Sequence, residues 1–237
     1  MTSARRTAMV AGVLFLVTHV TSVVALALYK SALHDTSRIS GSDTPLLVGA
    51  FLEVLLVLAI IGTGVALFPV VKRQNEGLAL GYVGLRTLEA GVIAAGIVPL
   101  LVIVTLRQNP TEAASADAGV VGSALVAFHD WTFLIGPSFV CGTNTVLLAY
   151  LLYASGLVPR FIAALGLVGG PLVFASGAAQ MFGLYEQISL WAALCAIPVF
   201  TWEICLAVHL VVRGFRSPAA AALDPAPVGA EAPPVAA

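Results

Sequence analysis

Six long stretches of almost uninterrupted apolar residues leave very few folds open to this chain. They are Ala8–Leu28, Leu46–Val71, Leu78–Leu106, Val120–Tyr153, Phe161–Phe182 and Ile188–Val212. A helix needs roughly 20 such residues to cross a hydrocarbon core about 30 Å thick. Because backbone amides find no water in lipid, each stretch must form a helix or join a closed barrel. Barrel strands alternate in polarity and these stretches do not, so the sequence predicts an all-α integral membrane helical bundle.

The composition excludes several other classes of protein. Of the 237 residues, 59% are hydrophobic and 10% are charged, and the mean hydropathy is +1.01. Soluble domains carry roughly 45–50% apolar and about 25% charged residues. The formal net charge of -1 gives no bulk attraction to an anionic partner, so no nucleic acid is expected. The lipid bilayer is the partner that this composition predicts.

The fourth apolar stretch has two interpretations. It contains a Gly136-Pro137 pair, which allows one long tilted helix kinked at Pro137. The alternative is a short re-entrant piece followed by a separate span. We favour the single kinked helix, which gives six transmembrane helices, with seven as the alternative.

The chain divides into a membrane part and a tail, and its basic residues indicate an orientation. Residues 1–216 form the predicted transmembrane bundle, and the Ala/Pro-rich residues 217–237 are expected to be a flexible tail. With the N-terminus inside, the cytoplasmic side holds Arg5, Arg6, Lys72, Arg73, Arg160, Arg213 and Arg216, and the outer side holds Lys30, Arg38 and Arg107. This asymmetry predicts a multi-pass protein of the cell membrane with both termini in the cytoplasm.

Charged residues inside the predicted spans are the main functional signal. They are Glu53, Arg86, Glu89, Asp130 and Glu203. A central Asp or Arg costs about 2.5–3.5 kcal/mol on insertion scales, so such a residue usually faces the bundle interior. Their positions along the spans are compatible with one polar cavity that opens from the outer half toward the membrane centre.

The three acids outside the Arg86/Glu89 pair are the predicted catalytic residues. Arg86 and Glu89 lie three residues apart and can form an intrahelical ion pair in which each neutralises the other. This leaves Glu53, Asp130 and Glu203 without an obvious cationic partner. A carboxylic acid kept neutral in an apolar pocket is a good proton donor. The alternative is a protonated carboxyl group that only hydrogen-bonds a neighbouring helix.

Aromatic and polar neighbours of these residues complete the predicted site. The candidate substrate-binding residues are Tyr82, Arg86, Glu89, Trp131, Trp202 and His19. Adjacent helical residues point roughly 100° apart, so Trp202 and Glu203 cannot both point straight inward. Trp131 is alternatively an interfacial anchor, the role also expected of Tyr29, and His19 is alternatively a helix–helix hydrogen-bond partner.

The sequence contains no motif for metal or nucleotide chemistry. It has no phosphate-binding loop of the form G-x-x-x-x-G-K-[ST], no H-E-x-x-H pair and no G-x-S-x-G elbow. Cys141, Cys195 and Cys205 fall inside predicted spans without metal-ligand spacing. We therefore expect no cofactor, no metal and no disulfide framework.

Four segments resemble a known family. They are ALGYVGLRTLEA (79–90), HDWTFLIGPSF (129–139), YLLYASGLVPRFIAALG (150–166) and PVFTWEICLAVHLVVRGF (198–215). Together with Glu53 they resemble a widespread bacterial family of small multi-pass membrane proteins that is catalogued as a domain of unknown function. The resemblance runs from about Ala8 to Phe215. It implies a helical bundle and supplies no activity.

The size, the architecture and two buried acids also resemble the small integral-membrane terpene cyclases. In those enzymes, an acid on an early helix and another near the last helix are linked to protonating a polyprenyl double bond or epoxide. The matching positions are Glu53 and the Trp202-Glu203 pair, although those cyclases usually have seven spans. The resemblance implies a metal-independent, proton-initiated cyclase or isomerase that acts on a hydrophobic prenylated, farnesyl-type small molecule. The alternatives are a small proton-coupled transporter and a structural membrane protein.

Overall fold

The structure, a computed structural model, describes residues 3–33, 42–109 and 118–216 and is helical throughout its regular elements. Six helices in this part of the chain are long and apolar enough to cross a membrane. They are α1 (Ser3–Leu33), α2 (Asp43–Val71), α3 (Glu76–Gln108), α4 (Ala118–Ser155), α5 (Arg160–Met181) and α6 (Leu190–Val212). The prediction of an all-α, multi-pass membrane bundle is confirmed. The predicted tail, 217–237, lies outside the described residues.

Helix α4 confirms the interpretation of the fourth stretch as one irregular helix. It is α-helical over Ala118–Leu134, π-helical over Ile135–Val140 and α-helical again over Cys141–Ser155. Pro137 lacks an amide hydrogen, and its ring clashes with the carbonyl group four residues earlier in a regular helix. The wider π-helical turn relieves this clash without ending the helix.

The six helices form a closed ring. Each helix packs against its neighbours in sequence, and α6 returns to pack against α1. Six helices arranged in this way surround a common interior. Polar side chains in the middle of the spans can therefore meet there, away from lipid.

The apolar core is larger in the half of the bundle that contains the start of α1 and the end of α6. All six helices contribute to it, through residues that include Phe15, Leu67, Tyr82, Leu148, Ile162 and Trp202. A smaller cluster in the opposite half contains Tyr29, Leu46, Leu100 and Val126, all from α1 to α4. Helices α5 and α6 therefore pack against the rest of the bundle mainly in the half that contains the larger core.

Small residues allow the close helix contacts in that half. A Cβ atom added at Gly142 of α4 would lie 2.8 Å from the carbonyl oxygen of Gly170 on α5. One added at Gly169 would lie 2.6 Å from the backbone nitrogen of Val199 on α6, and one at Gly12 would lie 2.7 Å from the Ala207 carbonyl oxygen. Backbones approach this closely in membrane bundles only where side chains are small.

Basic residues tie helices together at both ends of the bundle. The guanidinium group of Arg5 donates to the carbonyl oxygens of Leu210 at 2.9 Å and Val211 at 2.7 Å. These are among the last carbonyls of α6, which lack partners within the helix. At the opposite end, Arg107 of α3 pairs with Asp43 of α2 at 3.7 Å. Because Arg5 joins them, the start of α1 and the end of α6 lie at the same end of the bundle.

Candidate functional site

A network of charged and polar side chains fills the middle of the ring. Arg86 pairs with Glu89 at 3.0 Å and with Glu203 at 3.4 Å, and Glu203 faces His19 at 3.5 Å. The Asn144 amide donates to Glu89 at 2.7 Å. These five residues, the central network, come from α1, α3, α4 and α6. The structure thus brings four of the predicted site residues together.

The cation of this network is enclosed by aromatic rings as well as by carboxylates. The Arg86 guanidinium carbon lies 5.1 Å from the centre of the Phe15 ring and 5.9 Å from that of Tyr82. Its Nε also donates to the Tyr82 hydroxyl oxygen at 3.4 Å. Cation–π contacts of this kind gain strength when they are desolvated. The predicted neighbour Tyr82 therefore contacts Arg86 on the interior of the bundle.

The position of one proton follows from the contacts of His19. Its Nδ1 lies 2.9 Å from the carbonyl oxygen of Phe15, which can only accept, so Nδ1 carries a hydrogen. In a neutral imidazole, Nε2 is then an acceptor. Nε2 faces Oε2 of Glu203, and two acceptors face each other favourably only if a proton lies between them. A proton on either group would remove the repulsion between these two acceptors.

The formal charges lead to the same proton count. Arg86 contributes one positive charge, and Glu89 and Glu203 each contribute one negative charge when ionised. One added proton, on Glu89 or on the His19–Glu203 pair, makes the network neutral. A net charge in the membrane interior is costly, so the protonated, neutral network is the favoured state.

The network reaches the bundle surface between α1 and α6. The Glu203 side chain is 14% exposed, whereas that of Arg86 is 3% exposed. Phe200, one turn before Glu203, is itself exposed, and its ring meets His19 edge-on at 4.7 Å. We call His19, Phe200 and Glu203 the α1–α6 seam. Because the described spans face lipid, an apolar molecule in the bilayer can approach the network at this seam.

Glu53 lies in a second cluster. The Tyr29 hydroxyl group donates to the Glu53 carboxylate at 3.0 Å, and the Tyr29 ring lies 5.2 Å from that of His129. Nδ1 of His129 in turn lies 2.9 Å from the Gly96 carbonyl oxygen. Glu53 is 2% exposed. Tyr29, Glu53 and His129 lie toward the end of the bundle opposite the start of α1 and the end of α6, and we call them the outer cluster.

The two clusters are separated along the membrane normal. His19 of the central network and Tyr29 of the outer cluster both lie on α1, ten residues apart. At about 1.5 Å per residue, this places them roughly 15 Å apart along the helix axis. The single cavity compatible with the sequence is therefore replaced, among the described residues, by two polar centres stacked along α1.

The remaining predicted site residues join neither centre. Trp202 is buried in the apolar core, where its ring packs against Gly166. Asp130 and Trp131 are exposed on α4, twelve and thirteen residues after its start at Ala118, beside a pocket of about 390 Å³. His129 therefore contacts Tyr29 of the outer cluster, whereas Asp130 lines the pocket, because adjacent helical positions point in different directions.

Four contributors, Asn144, Tyr29, His129 and Phe200, were not selected from the sequence as site residues. Asn144 was visible as a polar residue within a span, but its partner lies on another helix. Tyr29 was expected to be an interfacial anchor, and this prediction is wrong because its ring is buried against α2 and its hydroxyl group binds Glu53. Phe200 carries no polar signal at all, and only the packing of α6 against α1 shows its contact with His19.

Comparison with known proteins identifies a family for this chain but does not identify an activity. No match to a curated protein or to a solved structure was found. One family model matches residues 10–214, which include all six helices, the central network and the outer cluster. The chain therefore belongs to the family described as Domain of unknown function (DUF4386).

Proposed function

We propose that this protein is a metal-independent, proton-initiated cyclase or isomerase of the bilayer interior that acts on a prenylated, farnesyl-type substrate. The observation that carries the proposal is the His19–Glu203 pair, two groups that can exchange a proton 3.5 Å apart at the edge of the bundle. An acid in this position is next to lipid and away from bulk water. A neutral acid in an apolar setting is suited to protonating an alkene or an epoxide.

The reaction is balanced in atoms and charge. Glu203 transfers its proton to a substrate double bond, which forms a C–H bond and leaves a carbocation on the neighbouring carbon. A second double bond of the substrate attacks this cation and closes a ring. The resulting cation loses a proton to the Glu203 carboxylate, so the product is an isomer of the substrate.

The residues around Glu203 have defined parts in this proposal. The exposed Phe200 ring stabilises the travelling cation by cation–π attraction, worth about 0.5–2 kcal/mol. Arg86 pairs with the carboxylate that remains after proton transfer. Glu89 and Asn144 hold Arg86 in place from the opposite side.

The geometry favours Glu203 over the other two predicted acids as the proton donor. Glu53 is almost completely enclosed, so a substrate has little access to it. Asp130 is exposed on the surface of α4, outside the central network. Glu203 combines exposure at the seam with a partner that can resupply its proton.

The test is an incubation of membranes that carry the protein with farnesylated and geranylgeranylated acceptors. Mass spectrometry and NMR should show a product of unchanged mass and altered retention time. Glu203→Gln should abolish the product, whereas Glu76→Gln, a matched change at an exposed acid at the start of α3, should not. A panel without any product, or a fully active Glu203→Gln variant, would contradict the cyclase.

A proton-coupled transporter is the second candidate, and the stacking of the two centres favours it. Protonatable groups lie both in the outer cluster and in the central network, at different depths along α1. In sealed vesicles with an internal pH dye, a transporter should move protons in response to a solute gradient. Glu53→Gln and Glu203→Gln should each stop this flux, while Glu76→Gln should leave it unchanged.

We also propose that the protein lies in the cell membrane with both termini in the cytoplasm. The end of the bundle where Arg5 meets α6 also carries Arg6, Lys72, Arg73, Arg160, Arg213 and Arg216. Basic residues are enriched in cytoplasmic loops. Fusions of a fluorescent protein to either terminus should fluoresce, and fusions of a periplasmic phosphatase there should be inactive.

A further inference from the structure

An apolar groove continues from the α1–α6 seam toward the level of the outer cluster. In the half of the bundle with the larger core, the face of α1 that meets α6 contains Gly12 and His19. The next residues on this face are Val23, Leu26 and Lys30, which follow His19 by four, seven and eleven residues. These three side chains are exposed, whereas Gly12 and His19 are buried, so α6 does not cover α1 beyond the seam.

The facing wall of the groove comes from α6. Phe200, Ala196 and Ala193 precede Glu203 by three, seven and ten residues and lie on the same side of that helix. Ala196 is half-buried, and the other two are exposed. Among residues 190–198, all of which the structure describes, none is buried. The first two turns of α6 therefore stand away from α1 and leave an apolar groove between the two helices.

The groove has an acid at one end and a cation at the other. His19 and Glu203 lie at its inner end. Lys30, in the last turn of α1, lies at its outer end, and no described acid forms an ion pair with it. Lys30 follows Arg5 by 25 residues, or roughly 37 Å of helix, which is more than a hydrocarbon core about 30 Å thick. The groove therefore runs from the headgroup region at Lys30 into the membrane interior at Glu203.

The length of the groove matches a farnesyl chain. Lys30 and His19 are eleven residues apart, which is roughly 16 Å along α1. Since a carbon–carbon bond is about 1.5 Å long, the four main-chain bonds of one extended isoprene unit advance the chain by about 5 Å. The three units of a farnesyl chain therefore reach from the level of Lys30 to the His19–Glu203 pair. Two units stop short of the pair, and four extend past it.

The charge of Lys30 determines which headgroup fits the outer end of the groove. An ammonium group donates up to three hydrogen bonds, and those to ionised phosphate or carboxylate oxygens are stronger than those to neutral acceptors. An anionic head at the interface with an apolar chain in the hydrocarbon core is also the ordinary orientation of an amphiphile in a bilayer. The groove therefore fits a prenyl chain with an anionic head better than a neutral prenyl alcohol.

We propose that this groove binds a prenylated substrate with an anionic head, such as a phosphate, at Lys30 and with three isoprene units along Val23 and Leu26. The last double bond of the chain then lies at Glu203. This assignment rests on the proposed function, because that function places the reacting double bond at Glu203. It adds the charge of the head and the length of the chain.

The test is the binding of radiolabelled farnesyl phosphate to the full chain in phosphatidylcholine nanodiscs, with empty nanodiscs as the background. Geranyl phosphate, geranylgeranyl phosphate and farnesol should each compete at least tenfold more weakly than unlabelled farnesyl phosphate. Lys30→Gln should weaken the binding of farnesyl phosphate about tenfold and leave that of farnesol unchanged. Lys72→Gln, at an exposed lysine at the other end of the bundle, should alter neither.

A substitution that fills the groove tests its position. Val23→Trp should reduce the binding of farnesyl phosphate at least tenfold. Val24→Trp is the control, because Val24 is also exposed but points about 100° away. Equal binding by the two tryptophan variants, or by the wild type and Lys30→Gln, would overturn the proposal. Absence of binding to the wild type, or full competition by phosphatidylglycerol, which would identify a phospholipid site, would also overturn it.

Binding and turnover together distinguish this proposal from the cyclase. Binding that depends on Lys30 and Val23, without any cyclised product, would support the groove and contradict the cyclase. A cyclised product that forms equally well in the wild type, Lys30→Gln and Val23→Trp would support the cyclase and contradict the groove.

Discussion

Nε2 of His19 and Oε2 of Glu203 face each other across 3.5 Å, while Nδ1 of His19 contacts the Phe15 carbonyl oxygen at 2.9 Å. This relationship joins the first helix to the last. It also extends the network of charged groups around Arg86 to α1. The proposals for proton transfer depend on this pair, and its protonation can be tested without a substrate.

Glu203→Gln should fold with nearly wild-type stability. A glutamine side chain can donate its amide hydrogen to Nε2 of His19 and present its oxygen to Arg86, and it leaves the network neutral. Glu203→Leu removes both contacts and should lower the free energy of unfolding by about 1–3 kcal/mol. Unfolding in detergent, followed by circular dichroism, measures both variants. Equal losses of unfolding free energy for Glu203→Gln and Glu203→Leu would contradict this prediction, because the glutamine contacts with His19 and Arg86 would then contribute no stability.

Arg86→Leu should destabilise the bundle more than the double change Arg86→Leu/Glu89→Leu. Removing one partner of a buried ion pair leaves an uncompensated charge, which costs about 3–5 kcal/mol, whereas replacing both partners is often mild. Thermal unfolding of the purified variants gives the comparison. Arg6→Leu, at an exposed position near the start of α1, is the control for loss of a positive charge. Similar stability of the single and double variants would contradict the pairing.

Tyr29→Phe should lower the free energy of unfolding by about 1–2 kcal/mol, because Glu53 loses its hydrogen-bond donor while the ring remains packed. In a Glu53→Leu background, the same change should have almost no effect. Tyr150→Phe, at an exposed tyrosine, is the matched control. Additive effects of the two changes would show that Tyr29 and Glu53 act independently.

The sequence predicted the number of spans and one ion pair because both depend on local rules. Span length follows from bilayer thickness, and the Arg86–Glu89 pair follows from residues three apart on one helix face. The π-helical turn at Ile135–Val140 is similarly signalled by Pro137. Local signals of this kind do not depend on how the helices are arranged around the ring.

The contacts between helices could not be predicted from the same signals. His19 and Glu203 belong to the first and last helices, and no spacing rule relates residues so far apart in the chain. Tyr29 has the amphipathic character of an interfacial residue and is distinguished only by the glycine at position 49, which leaves room for its ring. Closure of the ring between α6 and α1 therefore determines which polar residues meet.

Gly170→Ala should destabilise the bundle, whereas Gly84→Ala should not. A Cβ atom at Gly170 would lie 2.6 Å from the Gly142 carbonyl oxygen, so α4 and α5 would have to separate, at a cost of about 1–3 kcal/mol. Gly84 lies in α3 with no atom within 4 Å of an added Cβ, and alanine there should stabilise the helix by roughly 0.5–1 kcal/mol. Thermal unfolding in one detergent measures both shifts. Because Asn144 lies two residues after Gly142 on α4, Gly170→Ala should also reduce the proposed cyclase activity, in which Asn144 helps to hold Arg86 in place. An unchanged melting temperature for Gly170→Ala would show that α4 and α5 can separate at this contact without a loss of stability.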